Sequence, residues 1–115
     1  MWEIENTDEF EEWWNGLDTD EQVDITATVE VLEEKGPKLR RPQVGSINDS
    51  VHSNMKELIV QSGGNPIRIF FAFDPSSTGV LLIGGDKTGD KRFYKRMIPI
   101  ADRLFIEYLE EKKNG

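Results

Sequence analysis

The chain has 115 residues and a mass of 13.2 kDa, so we predict a single domain over residues 1–115. It contains no cysteine and one histidine, which excludes disulfides, thiolate zinc sites, a cysteine nucleophile and any mechanism that needs two histidines. No apolar run reaches the roughly 18 residues that span a bilayer, and the N-terminus is acidic rather than signal-like. We therefore expect a cytoplasmic protein without a membrane partner, and no motif predicts a metal or another cofactor.

The charges are distributed unevenly along the chain, which has a net charge of −8. Residues 1–36 hold 13 acids and one base, a net charge of −12, and residues 97–115 have a net charge of −1. Residues 37–96 hold 10 bases and 5 acids, a net charge of +5. Because a nucleic acid responds to a local basic patch rather than to the net charge, the middle segment keeps nucleic acid among the expected partners.

The first third of the chain predicts a short strand and two helices. Apolar residues alternate within Met1–Glu5, as they do in a strand. Aromatic and apolar residues then recur at helical spacing over Asp8–Leu17, and Asn6 is placed to cap this helix. The second helix begins after an Asp18 cap and ends at Gly36. Its apolar residues are expected to face the core: Val23, Ile25, Ala27, Val29 and Leu32.

The middle of the chain predicts a loop and then three strands. Lys38–Ser53 is rich in Pro, Gly, Ser and Asn and has no apolar period, which is typical of a loop. Turn residues separate the three β-rich runs that follow, a pattern that predicts an antiparallel meander of Asn54–Gln61, Pro66–Phe73 and Thr78–Ile83. The second run is almost continuously apolar, so both of its faces are expected to be covered.

The last element is a predicted helix over Asp90–Lys113, with apolar residues at helical spacing and Pro99 expected to kink it. The element order is then β-α-α-β-β-β-α. This order predicts an α+β fold in which helices pack on a small antiparallel sheet.

One arginine lies among the apolar residues of the central strand. A turn at Pro75–Thr78 places Arg68 opposite Gly85 in the antiparallel hairpin. A buried guanidinium needs a partner, and an aspartate such as Asp86 is one candidate. The alternative is that Arg68 belongs to a pocket for a polyanion, since arginine binds phosphate oxygens in pairs. The other members of that pocket would be Lys87, Lys91, Arg92 and Tyr94.

Four fragments of the sequence resemble the RelE/HigB-like toxins of type II toxin–antitoxin modules, in the phage-derived branch of that superfamily. The fragments are NMKEL, PIRIFFAFDP, LLIGGDKTGD and RFYKRMIPIADRLFIEYLE, in this order. The resemblance extends over nearly the whole chain and implies a RelE-like β-α-α-β-β-β-α fold. That order agrees with the one predicted from the residues alone.

The resemblance also implies a function. Relatives are small endoribonucleases, many of which cut mRNA in the ribosome, and a co-encoded antitoxin neutralises them. In the HigB branch this antitoxin is usually a helix-turn-helix protein, and the hetero-oligomer contacts operator DNA only through it. Two alternatives remain open within the superfamily: a non-enzymatic inhibitor of gyrase, as in the ParE-like members, and a degenerate toxin that only binds its antitoxin.

RelE-type sites cleave RNA with Lys, Arg and Tyr, because the substrate's own 2′-hydroxyl is the nucleophile. Such a site has to take one proton, give one and stabilise charge on the phosphorane. The resemblance therefore implies these catalytic candidates: Arg68, Lys87, Lys91, Arg92 and Tyr94. The remaining bases of the middle segment are expected to bind RNA: Lys38, Arg40, Arg41, Lys56, Lys95 and Arg96.

Overall fold

The computed structural model describes residues 1–115 as three α-helices packed on a five-stranded sheet. The α+β class is confirmed. None of the helices has the length and apolar character needed to cross a bilayer. In chain order the elements are β1 (Ile4–Asn6), α1 (Asp8–Asn15), α2 (Thr19–Lys35), β2 (Val44–Ser46), β3 (Lys56–Ser62), β4 (Asn65–Phe73), β5 (Gly79–Asp86) and α3 (Phe93–Asn114), with one 3₁₀ turn at Gly36–Lys38.

The sheet is mixed rather than purely antiparallel, and its strand order is β1-β5-β4-β3-β2. The first strand runs parallel to β5, whereas the other neighbouring strands are antiparallel. The segment predicted as a continuous loop contains β2, which pairs with β3 so that Val44 lies opposite Leu58. Three residues are too few to show a period of two, so this edge strand is recognisable only from its partner.

The hairpin of β4 and β5 contains a bulge. Next to the turn, Phe73 lies opposite Gly79, but Leu82 has no partner and the pairing then moves by one residue. Arg68 therefore lies opposite Gly85, which confirms the predicted pairing. The bulge produces this register, since a ladder that ran without interruption from the Phe73–Gly79 pair would place Gly84, and not Gly85, opposite Arg68.

Each face of the sheet carries a hydrophobic layer. Ile67, Ile69 and Phe71 point from β4 to the layer under α1 and α2. Phe70 and Ala72 point to the layer under α3, because successive side chains of a strand alternate between faces. The expectation that both faces of the central strand are covered is confirmed.

The first two helices begin with side-chain caps. Thr7, and not the predicted Asn6, caps α1, and its side chain accepts a hydrogen bond from Phe10 N at 3.0 Å. The Asn6 amide instead donates to the Thr7 carbonyl. The Asp18 cap of α2 is confirmed, because Asp18 and Glu21 form a reciprocal capping box.

The apolar residues of α2 do not all point inward. Ile25 and Leu32 are fully buried, and Val29 packs beside them. Val23 and Ala27 face solvent, contrary to expectation, and Val23 is 60% exposed. The error has a geometric reason: Val23 and Ala27 are four residues apart on one stripe, which lies on the other side of the helix from the buried stripe.

The last helix begins at Phe93, three residues later than predicted, and continues through Pro99 to Asn114. Its buried face packs on the sheet through Phe93, Met97, Ala101, Leu104 and Phe105. A Cβ at Gly85 of β5 would lie 2.8 Å from the Phe93 ring. The start of α3 therefore lies beside the end of β5, where Gly85 pairs with Arg68.

Candidate functional site

A largely buried arginine lies at the end of the sheet where α3 begins. The side chain of Arg68 is 12% exposed. Its Nη1 donates to the Ile67 carbonyl at 3.0 Å, but its Nε is buried and has no hydrogen-bond partner. An unpaired buried donor of this kind costs about 1–3 kcal/mol, and one that persists in a folded protein is a candidate for a functional role.

The charge partner of Arg68 is Glu57 of β3, and not the aspartate proposed from the sequence. Arg68 Nε lies 3.6 Å from Glu57 Oε1, and the Glu57 residue is 6% exposed. Asp86 is exposed and its carboxylate accepts hydrogen bonds from the backbone N and hydroxyl of Thr88. The 3.6 Å separation is too long for a hydrogen bond, so the guanidinium is held by charge while its Nε stays unpaired.

Tyr94 completes what we call the Glu57–Arg68–Tyr94 cluster. The Tyr94 hydroxyl donates to Glu57 Oε1 at 2.7 Å. Burial raises the pKa of Tyr94, the adjacent Glu57 carboxylate raises it further, and Arg68 opposes the rise. Lys87 lies over the same ring, with Nζ 5.7 Å from the ring centroid. The phenol therefore stays protonated in neutral solution beside two cations.

A second arginine approaches the cluster from the edge of the sheet. Gly45 of β2 lies opposite Glu57. A Cβ at Gly45 would lie 3.3 Å from both Arg41 Nη2 and Glu57 Oε2. Because Gly45 has no side chain, Arg41 Nη2 and Glu57 Oε2 both border the same open position. Glu57 Oε2 accepts no hydrogen bond from the chain.

Other bases line the edge beyond β2. Arg40, Arg41 and Lys56 line a depression of about 310 Å³ between the 3₁₀ turn and β2. Lys38 lies in that turn and is exposed. None of these four forms an ion pair within the chain, so this edge presents unneutralised positive charge next to the cluster.

The bases around the start of α3 fall into two groups. The side chains of Lys91, Arg92 and Lys95 are exposed and form neither an ion pair nor a hydrogen bond. Arg96 is engaged: it pairs with Asp90, donates to the Met97 sulfur and lies over the Phe93 ring. The hydrogen bond from Arg96 lowers the pKa of Asp90.

The structure thus brings together only part of the set predicted from the sequence. Arg68 and Tyr94 lie together around Glu57, and Lys87 lies over the Tyr94 ring. Lys91 and Arg92 form no hydrogen bond, ion pair or cation–π contact with them. Glu57 was missed. Its signal in the sequence is weak, namely an acid directly before a short apolar run, and its significance appears only when β3 pairs with β4. No group of three His, Asp or Glu side chains is arranged to hold a metal ion.

Comparison with known proteins identifies the family of the chain. Residues 12–105 match the family model described as Phage derived protein Gp49-like, and the match covers most of the chain. The chain belongs to this phage-derived family.

Its curated relatives are toxins. The chain is 44% identical over 106 residues to a protein of Mycobacterium tuberculosis named as toxin HigB3, an alignment that covers 91% of each chain. It is 43% identical over 101 residues to one named as toxin HigB2 from the same organism, covering 86% of this chain and 50% of that protein. The chain is therefore a HigB-like toxin of the toxin–antitoxin type, and such a toxin implies a cognate antitoxin as its partner.

A solved structure, described as a metal-bound toxin from Helicobacter pylori, is also similar to the chain. The TM-score is 0.47 at 12% identity, and the alignment covers 76% of this chain and 97% of that one. A likeness of this size carries no argument about the site.

Proposed function

We propose that this toxin is an endoribonuclease that cleaves mRNA by using the 2′-hydroxyl of the substrate as the nucleophile. The 2′-oxygen forms a bond to the adjacent phosphorus, the bond from phosphorus to the 5′-oxygen breaks, and a 2′,3′-cyclic phosphate results. The protein has to accept one proton, donate one and stabilise the negative charge on the oxygens of the phosphorane. The observation that supports this proposal most directly is the unpaired Nε of Arg68 beside a carboxylate and a phenol.

Arg68 binds the scissile phosphate in this proposal. Its guanidinium is shielded from solvent, where a charge-assisted hydrogen bond to a phosphate oxygen is stronger than on an exposed surface. Glu57 holds the guanidinium in place from β3 without using the Nε hydrogen. The Nε hydrogen is therefore not used by any acceptor within the chain.

Glu57 and Tyr94 are the proposed base and acid. Glu57 Oε2, which accepts no hydrogen bond within the chain, takes the proton of the 2′-hydroxyl. Tyr94 exchanges its bond to Glu57 for one to the substrate and donates its proton to the leaving 5′-oxygen. The phenol carries the proton that this role requires at neutral pH, and its raised pKa makes it a weaker acid than a free tyrosine. Lys87, held against the Tyr94 ring, supplies further positive charge.

The remaining bases hold the RNA on both sides of the cluster. On one side is the start of α3 and on the other is the edge at β2, and lysine and arginine there favour contacts with successive phosphates. The residues proposed for this role are Lys38, Arg40, Arg41, Lys56, Lys91, Arg92, Lys95 and Arg96. Arg96 contributes least, since Asp90 already neutralises it.

The proposed partners follow from the resemblance and the relatives. The toxin acts in the cytoplasm on mRNA bound to ribosomes. Its antitoxin is a helix-turn-helix protein, and the hetero-oligomer contacts operator DNA through the antitoxin alone.

The test is induced expression of the toxin without its antitoxin. Growth is expected to stop, and RNA 5′-end mapping is expected to show new cuts within coding regions. Arg68→Ala should abolish both effects. Arg103→Ala is the matched control, because Arg103 is an exposed arginine on α3 that pairs only with Glu107, and it should keep both.

Two results would contradict the proposal. Growth arrest with intact mRNA and with gyrase-linked, cleaved DNA would indicate a gyrase inhibitor, as in the ParE-like members. Absence of any arrest, with antitoxin binding retained, would indicate a degenerate toxin.

A further inference from the structure

The face of the sheet opposite the Glu57–Arg68–Tyr94 cluster carries a shallow groove between α1 and α2. One part, of about 380 Å³, lies over the apolar side chains of Phe10, Ile25 and Val29. A second part, of about 410 Å³, lies along Val23 and Ala27. Both parts share Trp14, Thr26 and Glu30, so they form one continuous surface, which we call the α1–α2 groove.

The α1–α2 groove has an apolar stripe that the chain itself leaves uncovered. Val23 is 60% exposed and Ala27 is also exposed, although the buried face of α2 is already supplied by Ile25 and Leu32. Trp14 is only half-buried beside them. A helix with apolar residues on both sides is typical of one that packs on its own core and also contacts a second molecule.

The rim of the α1–α2 groove is acidic. Glu11, Glu30 and Glu33 line it, and no lysine or arginine does. The surrounding residues 1–36 carry a net charge of −12. This rim repels RNA, and it opposes a symmetric dimer through this face, because two such segments would meet with like charge. It favours an occupant with an apolar stripe and flanking bases.

We propose that the α1–α2 groove binds a basic amphipathic helix of the cognate antitoxin. From Thr19 to Glu33 the α2 surface extends about 20 Å at 1.5 Å per residue, which accommodates roughly four turns of a partner helix laid along it. The partner's apolar residues pack on Trp14, Val23 and Ala27, and its lysines and arginines pair with Glu30 and Glu33. The proposal does not depend on the toxin's being a ribonuclease, since it concerns the opposite face of the sheet.

Calorimetric titration of the purified toxin with the antitoxin protein encoded beside it tests this inference. Val23→Glu places a charge on the exposed stripe and should weaken binding at least tenfold while the circular dichroism spectrum and the melting curve are unchanged. Ile106→Glu is the matched control, because Ile106 is an exposed apolar residue on α3, 43% exposed, and it should bind like the wild type. The double variant Glu30→Lys and Glu33→Lys should bind more weakly and lose most of the dependence on salt.

Each other outcome overturns the proposal. Wild-type affinity in Val23→Glu would show that the partner does not use this stripe. An equal loss in Ile106→Glu would show that the antitoxin covers α3. A wild-type dimer in sedimentation that Val23→Glu dissociates would show that the occupant is a second copy of the chain, and absence of binding by the wild type would exclude an antitoxin occupant.

Discussion

The two faces of the sheet use their charged groups in opposite ways. On the α1–α2 side the acids are mostly exposed; Asp18 and Glu21 cap α2, and Asp24 accepts a hydrogen bond from the Ser62 hydroxyl. On the α3 side the charges of Glu57 and Arg68 are buried together with the Tyr94 hydroxyl. A net charge of −8 therefore conceals a local site that suits a polyanion, because 13 of the 22 acids lie in residues 1–36 and the exposed, unpaired bases Lys91, Arg92 and Lys95 lie around the start of α3.

The two faces also differ in what they contribute to stability. Exposed acids in the first turn of α1 and in the cap and first turn of α2 stabilise these helices at little cost in desolvation. The buried Arg68–Glu57 pair has to offset the loss of hydration of two ions, and a pair at 3.6 Å with an unbonded Nε does so poorly. An arrangement that is unfavourable for folding is typical of a site that awaits a ligand.

The largest effect is expected from Glu57→Gln, which removes the charge and keeps the shape. If Glu57 is the base, cleavage of a short RNA should slow by about 10²–10⁴-fold. Asp86→Asn is the control, since Asp86 is a nearby exposed acid that bonds only Thr88, and its rate should match the wild type. Equal rates for Glu57→Gln and the wild type would remove Glu57 from the mechanism.

The packing of helix α1 on the sheet depends on one glycine of β5. A Cβ at Gly84 would lie 2.3 Å from the Trp13 ring, so Gly84→Ala should lower the free energy of unfolding by about 2–3 kcal/mol through overpacking. Gly16→Ala is the control, because its added Cβ would meet only the Trp13 carbonyl at 3.6 Å. Urea unfolding of both variants measures the difference, and equal stabilities would contradict this packing.

The exposed bases at the start of α3 test whether RNA binds on this side of the sheet. Lys91→Ala combined with Lys95→Ala should weaken RNA binding by about 3- to 10-fold and reduce the slope of log affinity against log salt by about two. Lys113→Ala, at the far end of the same helix, should leave both unchanged. Filter binding over a range of salt concentrations measures the two quantities, and an unchanged slope would show that RNA does not contact this segment.

The smallest effect concerns alkaline stability. Burial, and then the neighbouring Glu5 and Asp74 carboxylates, raise the pKa of Tyr108 above the ordinary value of 10.0. A raised folded-state pKa means that the stabilising effect is present below pH 10 and is lost as the pH rises through the higher folded value. Tyr108→Phe should therefore be less stable than the wild type at neutral pH by about 1 kcal/mol, and the gap should narrow above pH 10. Urea unfolding at neutral pH and above pH 10 measures this difference in stability between the variant and the wild type. A difference that widens at the higher pH would contradict the prediction.

Local patterns were enough to predict most of the fold. The capping box at Asp18, the hairpin that pairs Arg68 with Gly85, and the buried central strand all depend on residues close in sequence. The contact between Glu57 and Arg68 depends on how β3 and β4 align, and nothing in either strand's own pattern shows it. The outward stripe of α2 was missed for another reason: when apolar residues lie on both sides of a helix, its period does not reveal which side is buried.

The most direct test of the division between the faces uses two variants and two measurements. Arg68→Lys and Val23→Glu are each assayed for RNA cleavage and for binding of the antitoxin. Arg68→Lys should lose cleavage and keep the antitoxin, since its charge remains but its paired donors are lost. Val23→Glu should cleave RNA and lose the antitoxin. If one variant loses both activities, or if the two losses are exchanged, the basic site and the α1–α2 groove are not the separate surfaces described here.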